Sequence, residues 1–503
     1  MGNSRIKVLY DGTLLAEGLG RGSNRSGIFF VVYNVFRELL KFEDLEILLY
    51  CDPARLDEMK AFIWHNMREY HRKITIVNDP EYREFPLGLL DRAVQGVRNT
   101  KDSLCASHRC LRCQAMRGIL LVLKILRKVW RILNGREDKS FHSLSTALSK
   151  VDAVLSPAFP HKPEVIASGV RRYTILYDAI PYIFPDLFPD TKYGCSWNLD
   201  LLKSLNGQDV CFAISQQTKD DFLYFSKLFR EKGNDLLAMF EERHGVNSYT
   251  VHIVDALRDR RQQGLLPKAE VSANDTPLKA ENIDVMLLAA SETFHECKDP
   301  ERILSVRRKY KIPDGKKYIF SLCTLERRKN ILYGIRNFLK FADENRIDDL
   351  VFVLGGGSWK TFIDELEREI SDISGWQERI LRIGYVDDDD LSPLFSGAFC
   401  TVYPSIYEGF GLPPLEAMQC GCPVITGDNS SLPEVVGDAG IMVDVSRPDA
   451  LKQALKHLYD SPSDREKLIR RGLERAKRFS WGAAAQVVHS RIVRDCGRRG
   501  WKA

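Results

Sequence analysis

Residues 403–418 read Y-P-S-I-Y-E-G-F-G-L-P-P-L-E-A-M and contain the main evidence for the fold class. An apolar run ending at Tyr403 predicts a strand, and two glycines precede a proline-containing helix that begins at Leu412. Glycines let backbone N–H groups approach a phosphate closely, and a helix N-terminus favours an anion. Glu408 in the loop and Glu416 in the first turn of the helix are placed to hold hydroxyl groups on either side of that phosphate. Physical reasoning alone equally allows a solvated Glu408 and a Glu416 that only complements the helix dipole.

A second polar element, T-L-E-R-R-K-N, spans residues 324–330 between a predicted strand and a predicted helix. Clustered cations at the carboxyl end of a strand are suited to neutralise a diphosphate. A solvated basic loop is the alternative interpretation. The position of the cluster, at the same sheet edge as the first element, makes Arg328 and Lys329 candidate ligands of an anion.

Short apolar runs alternate with amphipathic stretches through the C-terminal half, which predicts a doubly wound α/β domain with ligands at the carboxyl ends of its strands. The N-terminal half repeats this pattern less regularly. Predicted strands are 6–10, 45–50, 153–155, 173–177, 210–214, 318–323, 350–354, 380–383, 399–403 and 423–426. Predicted helices are 28–40, 331–343, 359–371, 390–396, 412–419 and 449–459.

The composition is that of a globular protein, with 503 residues, 44% hydrophobic and 28% charged, so two or three domains are expected. No run of about 18 uncharged apolar residues predicts a transmembrane helix, and the N-terminus has no apolar segment typical of a signal peptide. The 12 scattered cysteines show no disulfide framework. We therefore expect a cytoplasmic protein with reduced thiols.

The net charge of +5 is unevenly distributed. The segment from Arg92 to Arg136 contains eleven Lys/Arg residues and one acid, so the remainder of the chain has a net charge of −5. Within this segment, residues 116–133 predict a helix with one basic stripe on an otherwise apolar surface. Such a helix is suited to an anionic membrane surface, and a helix packed on the N-terminal domain is the alternative. Nucleic acid is not expected as a partner, because no aromatic-interleaved or helix-turn-helix pattern is present.

Two groups of residues resemble metal sites, and we expect neither to bind a metal. Asp387–Asp390 lie at the start of a helix, where acids complement its dipole. The cysteines and histidine at 105–113 are closely spaced, and no second Cys-x-x-Cys pair follows them.

Several stretches between residues 318 and 481 resemble, in order, motifs of the retaining glycosyltransferases of family 4. This is the group 1 type with GT-B architecture, an α/β fold of two Rossmann-like doubly wound domains facing across a cleft. The motifs are T-L-E-R-R-K-N, V-F-V-L-G-G-G, I-G-Y-V-D-D-D-D-L, the 403–418 stretch, G-C-P-V-I-T, S-S-L-P-E-V-V-G-D-A-G and R-F-S-W.

The resemblance implies a function for each candidate residue. Glu408 would lie near the donor sugar and its phosphate, Glu416 would bind the ribose hydroxyls, and Arg328 with Lys329 would neutralise the diphosphate. Further donor contacts would come from Gly409, Phe410, Gly411 and Leu412 through their backbones and, at the base, from Gly356 and Tyr385. No metal and no cofactor is implied.

The N-terminal half resembles the family at fewer positions. Ser26-Gly27-Ile28 is similar to the glycine-rich loop that meets the donor phosphates and the acceptor. Residues 175–181 are similar to a segment in which many members have His before the Asp; here Tyr177 precedes Asp178. A tyrosyl hydroxyl can still donate a hydrogen bond to a donor sugar. Residues 213–218 resemble the family's strand-then-Ser element.

These observations predict an acceptor-binding domain at 1–300 with insertions near 85–145 and 223–282, and a nucleotide-sugar domain at 301–480. A C-terminal helix at 481–503 would cross back to the first domain. The expected reaction moves a hexose from a nucleotide sugar, with mannose from GDP-mannose as first choice, to a lipid-linked or polysaccharide hydroxyl at the inner face of the cell membrane. A UDP-sugar or dTDP-rhamnose donor is the alternative within the class. The alternatives outside it are a nucleotide-sugar epimerase and a non-catalytic sensor or membrane scaffold.

Overall fold

The computed structural model describes residues 5–18, 27–77, 143–183, 201–202, 204–232, 276–324, 327–357, 367–371, 373 and 375–497. The predicted helix at 116–133, the Cys/His group at 105–113, most of the glycine-rich loop at 18–27 and the first part of the predicted helix at 359–371 lie outside these ranges. The described residues contain two parallel β sheets.

The first sheet has seven strands in the order β3-β2-β1-β4-β5-β6-β7. Strands β1, β2 and β4 run parallel, with Ile6 beside Leu45 and Val8 beside Ala153. The strands are β1 (Ile6–Asp11), β2 (Leu45–Tyr50), β3 (Thr75–Ile76), β4 (Ala153–Ser156), β5 (Arg171–Leu176), β6 (Val210–Ala213) and β7 (Ile283–Val285). The helices between them are α1 (Thr13–Glu17), α2 (Gly27–Leu39), α3 (Leu56–Asn66), α4 (Leu144–Leu148), α5 (Pro163–Ala167), α6 (Ile180–Ile183) and α7 (Gln216–Lys232).

The second sheet has six parallel strands in the order β10-β9-β8-β11-β12-β13. Its strands are β8 (Lys317–Leu322), β9 (Leu350–Gly355), β10 (Ile380–Gly384), β11 (Cys400–Tyr403), β12 (Val424–Gly427) and β13 (Ile441–Val443). Counted along the chain this order is 3-2-1-4-5-6, the arrangement of dinucleotide-binding domains. The order reverses between β8 and β11, and a ligand crevice is expected beyond the carboxyl ends of these two strands.

Helices precede, connect and follow the strands of this second sheet. They are α8 (Pro300–Lys309), α9 (Ile331–Glu344), α10 (Trp376–Arg379), α11 (Asp388–Ser396), α12 (Leu412–Gln419), α13 (Leu432–Val436), α14 (Ala450–Asp460), α15 (Pro462–Ala476) and α16 (Trp481–Cys496). Helix α9 buries Ile331, Ile335, Phe338 and Ala342, which repeat every three to four residues and so share one face. The buried strands supply near-continuous apolar runs, as expected when both faces of a parallel sheet are covered.

The chain divides into two compact units. The first comprises residues 1–175, 209–212 and 485–503, and the second comprises 176–208 and 213–484. The end of α16, from Ala485, groups with the first unit. The domain boundary near residue 300 stays a prediction, because it falls between the two sheets but does not coincide with the division into compact units.

Most predicted elements occur within one or two residues of their expected bounds, and the helix at 412–419 matches at both ends. The insertion predicted near 223–282 was wrong at its start, because α7 continues to Lys232. Phe222 and Phe225, three residues apart, are both buried and hold this part of the helix against the protein. The sequence analysis missed three short strands, β3, β7 and β13, which have only two or three residues each.

Two further properties of the described residues concern membrane-spanning helices and cysteines. Within the described ranges no helix is long and apolar enough to cross a membrane. The eight cysteines in these ranges carry free thiols.

Candidate active site

Two loops meet at the point where the strand order of the second sheet reverses. One follows β8 and contains a 3-10 turn, Arg327–Lys329; the other follows β11 and contains Glu408. The N–H of Ile406 donates to the carbonyl oxygen of Arg328 (3.0 Å), which joins the two loops directly. The sheet topology therefore brings together the cationic and the acidic residues that the sequence nominated separately.

Arg328 and Lys329 form buried ion pairs with Glu408. Nη1 of Arg328 lies 2.7 Å from Oε2 of Glu408, and Nζ of Lys329 lies 2.7 Å from Oε1. All three residues are less than a tenth exposed. Lys329 also donates to the Tyr403 hydroxyl at the end of β11, and Arg328 donates to the carbonyl of Tyr407 (2.8 Å). One carboxylate thus holds two cations at the crevice.

The environment of Glu408 keeps its carboxyl group ionised. Burial raises the pKa of Glu408, but the charges of Arg328 and Lys329 outweigh burial and lower this pKa to about 2. The carboxylate is therefore negatively charged at neutral pH and has a net-positive pair of neighbours. This site can present positive charge to an incoming anion without a bound metal ion.

Loop 408–412 presents backbone N–H groups at the start of α12. Gly411 precedes the helix with φ of 115°, a conformation that favours glycine. Among the described residues, the N–H groups of Gly409, Phe410, Gly411 and Leu412 have no hydrogen-bond acceptor. The next two helical residues are prolines, which have no N–H. Four free donors in sequence, at the positive end of a helix, form a site for an anion.

Glu416 lies in the second turn of α12, so its prediction in the first turn was wrong. The helix begins at Leu412 and its first turn contains no acid. Burial first, and the charge of Asp388 second, raise the pKa of Glu416 to about 8. Its side chain is partly buried and has no ion-pair partner among the described residues.

Asp178 lies against the glycine of this loop. A Cβ atom placed on Gly409 would come within 2.6 Å of the Asp178 Cβ and 2.8 Å of the Tyr177 carbonyl oxygen. Burial raises the pKa of Asp178, while Arg328 lowers it. Tyr177 is buried, and burial raises the pKa of its hydroxyl above its usual value. The segment 177–178 therefore belongs to the same cluster as Glu408.

Gly356 and Tyr385 follow the neighbouring strands β9 and β10. Gly356 has φ of 118°, and its N–H donates to the carbonyl of Gly384 (2.7 Å). A Cβ at Gly356 would lie 2.2 Å from the Cys323 carbonyl oxygen, so only glycine fits there. The Tyr385 side chain is 74% exposed and available to stack on a planar ligand.

Gly27 is the exposed first residue of α2, in the first compact unit. The structure places the other candidate residues in the second unit. The contribution of Gly27 to a donor site stays a prediction.

The acids at the start of α11 are held by cations. Asp390 is buried and accepts from Nη2 of Arg302 (2.7 Å) and the Tyr310 hydroxyl (3.0 Å), and it pairs with Lys309. Lys309 also pairs with Asp387 (2.6 Å). Among the described residues no group of three or more His, Cys, Asp or Glu side chains is placed to hold a metal ion.

Loop 408–410 is surrounded by buried or half-buried hydroxyl groups that were not predicted from the sequence. Ser215, Thr218, Ser430 and Ser431 all bond to that loop or to the Tyr177 carbonyl. The only sequence indication was the position of Ser215 and Ser431 at the starts of helices, which alone is typical of ordinary helix termini.

Comparisons of sequence and structure relate the chain to known proteins. Residues 303–475 match the family described as glycosyl transferases group 1. The chain is 38% identical over 202 residues to the O-antigen chain mannosyltransferase B of Escherichia coli, covering 40% of this chain and 52% of that protein. It is 31% identical over 191 residues to the serotype-specific mannosyltransferase WbdA of Escherichia coli, covering 37% of this chain and 23% of that protein. The chain thus spans about half or less of the length of these curated relatives.

Similarity of fold extends beyond the matched domain. The crystal structure of Anabaena Alr3699/HepE in complex with UDP and glucose aligns with a TM-score of 0.53 at 14% identity, covering 97% of this chain and all of that one. The two parallel sheets and this similarity define a two-domain Rossmann-like α/β fold of the GT-B glycosyltransferase type. The predicted fold class is confirmed, and the resemblance to group 1 glycosyltransferases is confirmed over residues 303–475.

Proposed function

We propose that this chain is a retaining glycosyltransferase that moves mannose from GDP-mannose to a hydroxyl group of a polysaccharide or lipid-linked acceptor. One observation carries this proposal: Arg328, Lys329 and the free N–H groups of loop 408–412 converge where the sheet order reverses. A glycosyl transfer from a nucleotide sugar leaves a nucleoside diphosphate, and negative charge develops on it as the glycosidic bond breaks. Preorganised cations and N–H donors aimed at that charge stabilise the transition state more than the ground state.

We propose that the cations at the site take the place of a bound metal ion at the leaving group. Arg328 and Lys329 supply the positive charge that a divalent ion supplies elsewhere, so we propose metal-independent transfer with no cofactor. When the diphosphate arrives, the two cations would be shared between it and Glu408. Glu408 keeps the cations in position before the donor binds, because its carboxylate is ionised and in contact with both.

Glu416 provides the second half of the proposed donor site. Its carboxyl group has no ion-pair partner in the described part of the chain, and it lies one turn after the loop that faces the phosphates. Paired ribose hydroxyls are donors that a carboxylate accepts well. The base would stack on the exposed ring of Tyr385 beside Gly356.

The choice of mannose is supported by the two curated relatives, which are named as mannosyltransferases. A UDP-sugar or dTDP-rhamnose donor is the alternative within the same site. A non-catalytic sensor is the alternative outside enzymology, favoured only by Tyr177 at the position where many family members have His.

A panel of GDP-mannose, UDP-glucose and dTDP-rhamnose tests the proposal, with mass spectrometry of candidate glycan acceptors and of the released nucleoside diphosphate. We expect GDP release and a mannose mass increment that require both donor and acceptor. Binding of a donor without transfer or hydrolysis would support the sensor, and transfer from another donor would correct the sugar. The released-sugar anomer, measured by NMR at early times, tests retention.

Residues 116–133 supply a separate proposal about location. Their sequence predicts a basic-striped apolar helix, and we propose that it holds the protein on an anionic membrane near a lipid-linked acceptor. Deletion of 116–133 should release the protein from phosphatidylglycerol-containing vesicles in a sedimentation assay. Equal sedimentation of the full chain and the deletion variant would reject this proposal.

A further inference from the structure

The backbone carbonyl oxygens of Glu408, Gly409 and Phe410 each lie within hydrogen-bonding distance of a buried hydroxyl group. Oγ of Ser431 lies 2.9 Å from the Glu408 oxygen and 2.7 Å from the Phe410 oxygen. Oγ of Ser215 lies 2.7 Å from the Gly409 oxygen. Ser215 and Ser431 are both fully buried. The single proton of Ser431 is shared between two of these oxygens, and each of the three successive peptide carbonyls lies within hydrogen-bonding distance of a buried hydroxyl.

Thr218 extends this arrangement to the segment that carries Asp178. Its Oγ1 donates to the Tyr177 carbonyl (2.9 Å), and its N–H donates to Oγ of Ser215 (3.0 Å). Each hydroxyl has one proton to donate, so the consistent pattern is Ser215 to Gly409 and Thr218 to Tyr177. Two adjacent hydroxyls at the start of α7 thus tie the 177–178 segment to loop 408–410.

Helix α7 is itself docked on the same region. The carboxylate of Glu434 accepts from the N–H of Gln216 at 2.8 and 3.1 Å. Glu434 lies in α13, which begins directly after Ser431. The start of α7 and the start of α13 are therefore fixed relative to each other, and the anchoring hydroxyls of Ser215 and Ser431 with them.

The planarity of the peptide unit gives these anchors a consequence for the donor site. In a trans peptide the carbonyl of one residue and the N–H of the next point in opposite directions. Anchoring the carbonyls of residues 408, 409 and 410 therefore turns the N–H groups of Gly409, Phe410 and Gly411 to the opposite side. These are the N–H groups that have no acceptor within the described residues.

We propose that Ser215, Thr218 and Ser431 are positioning residues that orient the N–H groups of Gly409, Phe410 and Gly411 toward the diphosphate of the donor. This inference rests on the proposed function and adds to it the device that preorganises the anion site. A loop whose carbonyls were free to rotate would present acceptor oxygens to the phosphate in part of its conformations, and these repel an anion. Fixing the peptide planes before the reaction avoids reorganisation as charge develops.

Matched variants separate the hydroxyl from its volume. Thr218→Val keeps the shape of the side chain and removes the hydroxyl, whereas Thr218→Ser keeps the hydroxyl. Ser215→Ala removes the donor to Gly409. Ser226→Ala is the control, because Ser226 is a fully buried serine on the same helix whose hydroxyl accepts from the N–H of Leu278 (2.8 Å).

The readouts are kcat and KM for GDP-mannose turnover, the Kd of GDP by calorimetry, and the melting temperature. Ser215→Ala and Thr218→Val should each lower kcat about tenfold or more while KM and the Kd of GDP change less than about threefold, because the oriented donors act mainly in the transition state. Thr218→Ser should retain a kcat near that of the unmodified protein. The double variant Ser215→Ala/Thr218→Val should lose little more than either single variant, since the two hydroxyls act as one unit.

Two results would overturn the inference. One is a kcat of Ser215→Ala and Thr218→Val within twofold of the unmodified protein. The other is an equal loss of kcat in Ser226→Ala at the same melting temperature, which would show a general effect of losing a buried hydroxyl. An unmodified protein that neither binds nor turns over any nucleotide sugar would overturn the proposed function as well, and is thereby distinguished from failure of the anchors alone.

Discussion

The Nζ atom of Lys329 lies 2.7 Å from Oε1 of Glu408, and both side chains are about 90% buried. A buried ion pair is costly to break by removing one partner, because the remaining charge is left without compensation in a poorly solvated place. Arg328 shares the same carboxylate, so Lys329 can change partner without leaving Glu408 unpaired. The arrangement is suited to cations that must accept a diphosphate during each catalytic cycle.

Removing either member of this pair should nearly abolish activity. Lys329→Ala and Glu408→Ala are each expected to lower kcat/KM at least about a hundredfold, which corresponds to about 2.7 kcal/mol of transition-state stabilisation. The double variant should lose less than the product of the two single effects, because the residues act together.

Lys456→Ala is the matched control for the loss of a cation. Lys456 forms an exposed i,i+4 ion pair with Asp460 in α14, which contributes little to stability. Initial rates at saturating and subsaturating donor measure all four variants. Near-normal rates in both Lys329→Ala and Glu408→Ala would show that the site is assigned incorrectly.

The raised pKa of Glu416 predicts a pH dependence of nucleotide binding. The ionised carboxylate offers both oxygens as acceptors to the ribose hydroxyls, whereas protonation converts one of them into a donor. The pKa of about 8 means that Glu416 of the free protein is mostly protonated at neutral pH. The affinity for GDP should therefore rise as pH increases toward 8, by up to about tenfold per pH unit, and level off above it. Calorimetry between pH 6 and 9 should detect proton release on binding.

Two variants check the origin of this dependence. Glu416→Gln should bind GDP more weakly and without the inflection near pH 8. Asp388→Asn should move the inflection to lower pH, because the charge of Asp388 contributes to raising the pKa of Glu416. The raised pKa also makes wild-type stability fall as pH rises from about 4.5 to 8, so Glu416→Gln should gain relative stability toward pH 8. An unchanged inflection in Glu416→Gln would assign it to another group.

The residues of the site were predictable from the sequence, but their contacts were not. Arg328, Lys329, Glu408 and Glu416 were nominated from two stretches about 80 residues apart, because parallel strands place their following loops at one sheet edge. The ion pairs that connect them were not predictable, since side-chain contacts between distant loops depend on packing. The N–H donors were expected from the glycines, but the hydroxyls that anchor the carbonyls were not. Ser215 and Ser431 are distant in sequence, and nothing local to either indicates the shared loop.

The fold was more predictable than the site. Helix α9 and strand β9 follow from periodicity and from a continuous apolar run, respectively. Strand β3 has only two residues, too few to show any periodicity. It forms because it pairs with β2. The predicted insertion near 223–282 starts inside α7, because the charged residues of this helix obscure the buried Phe222 and Phe225. In each of these cases a tertiary contact, which the local sequence does not reveal, determines the secondary structure.

Gly409 should not tolerate even one additional carbon atom. A Cβ there would lie 2.6 Å from the Asp178 Cβ and 2.8 Å from the Tyr177 carbonyl oxygen, so the loop or the 177–178 segment must move. Displacement of the N–H donors by about 1 Å is expected to lower kcat about a hundredfold in Gly409→Ala.

The control for this variant is Gly334→Ala. Gly334 lies within α9, and its added Cβ would meet its nearest atom at 3.5 Å, an ordinary contact. Activity close to wild type is expected there, with a melting temperature equal or higher, since Ala favours a helix over Gly. A kcat of Gly409→Ala equal to that of Gly334→Ala would mean that the loop does not need its close contact with residues 177–178.

A variant of Asp390 tests whether the acids at the start of α11 have a structural role or bind a metal ion. Burial raises the pKa of Asp390, but hydrogen bonds from Lys309 and Tyr310 outweigh burial and lower this pKa. The carboxylate is therefore ionised at neutral pH. Its contribution to stability is lost only as the pH falls below the usual pKa of an aspartate. Asp390→Ala should reduce the free energy of unfolding by about 1–3 kcal/mol, measured by urea denaturation at pH 7, with a smaller difference at pH 3. Turnover of the remaining folded protein should be unchanged, and EDTA should alter neither the rate nor the melting temperature. A loss of activity in EDTA that Mg²⁺ or Mn²⁺ restores would contradict metal-independent transfer. In that case a metal ion, rather than Arg328 and Lys329, would supply the positive charge that stabilises the leaving diphosphate.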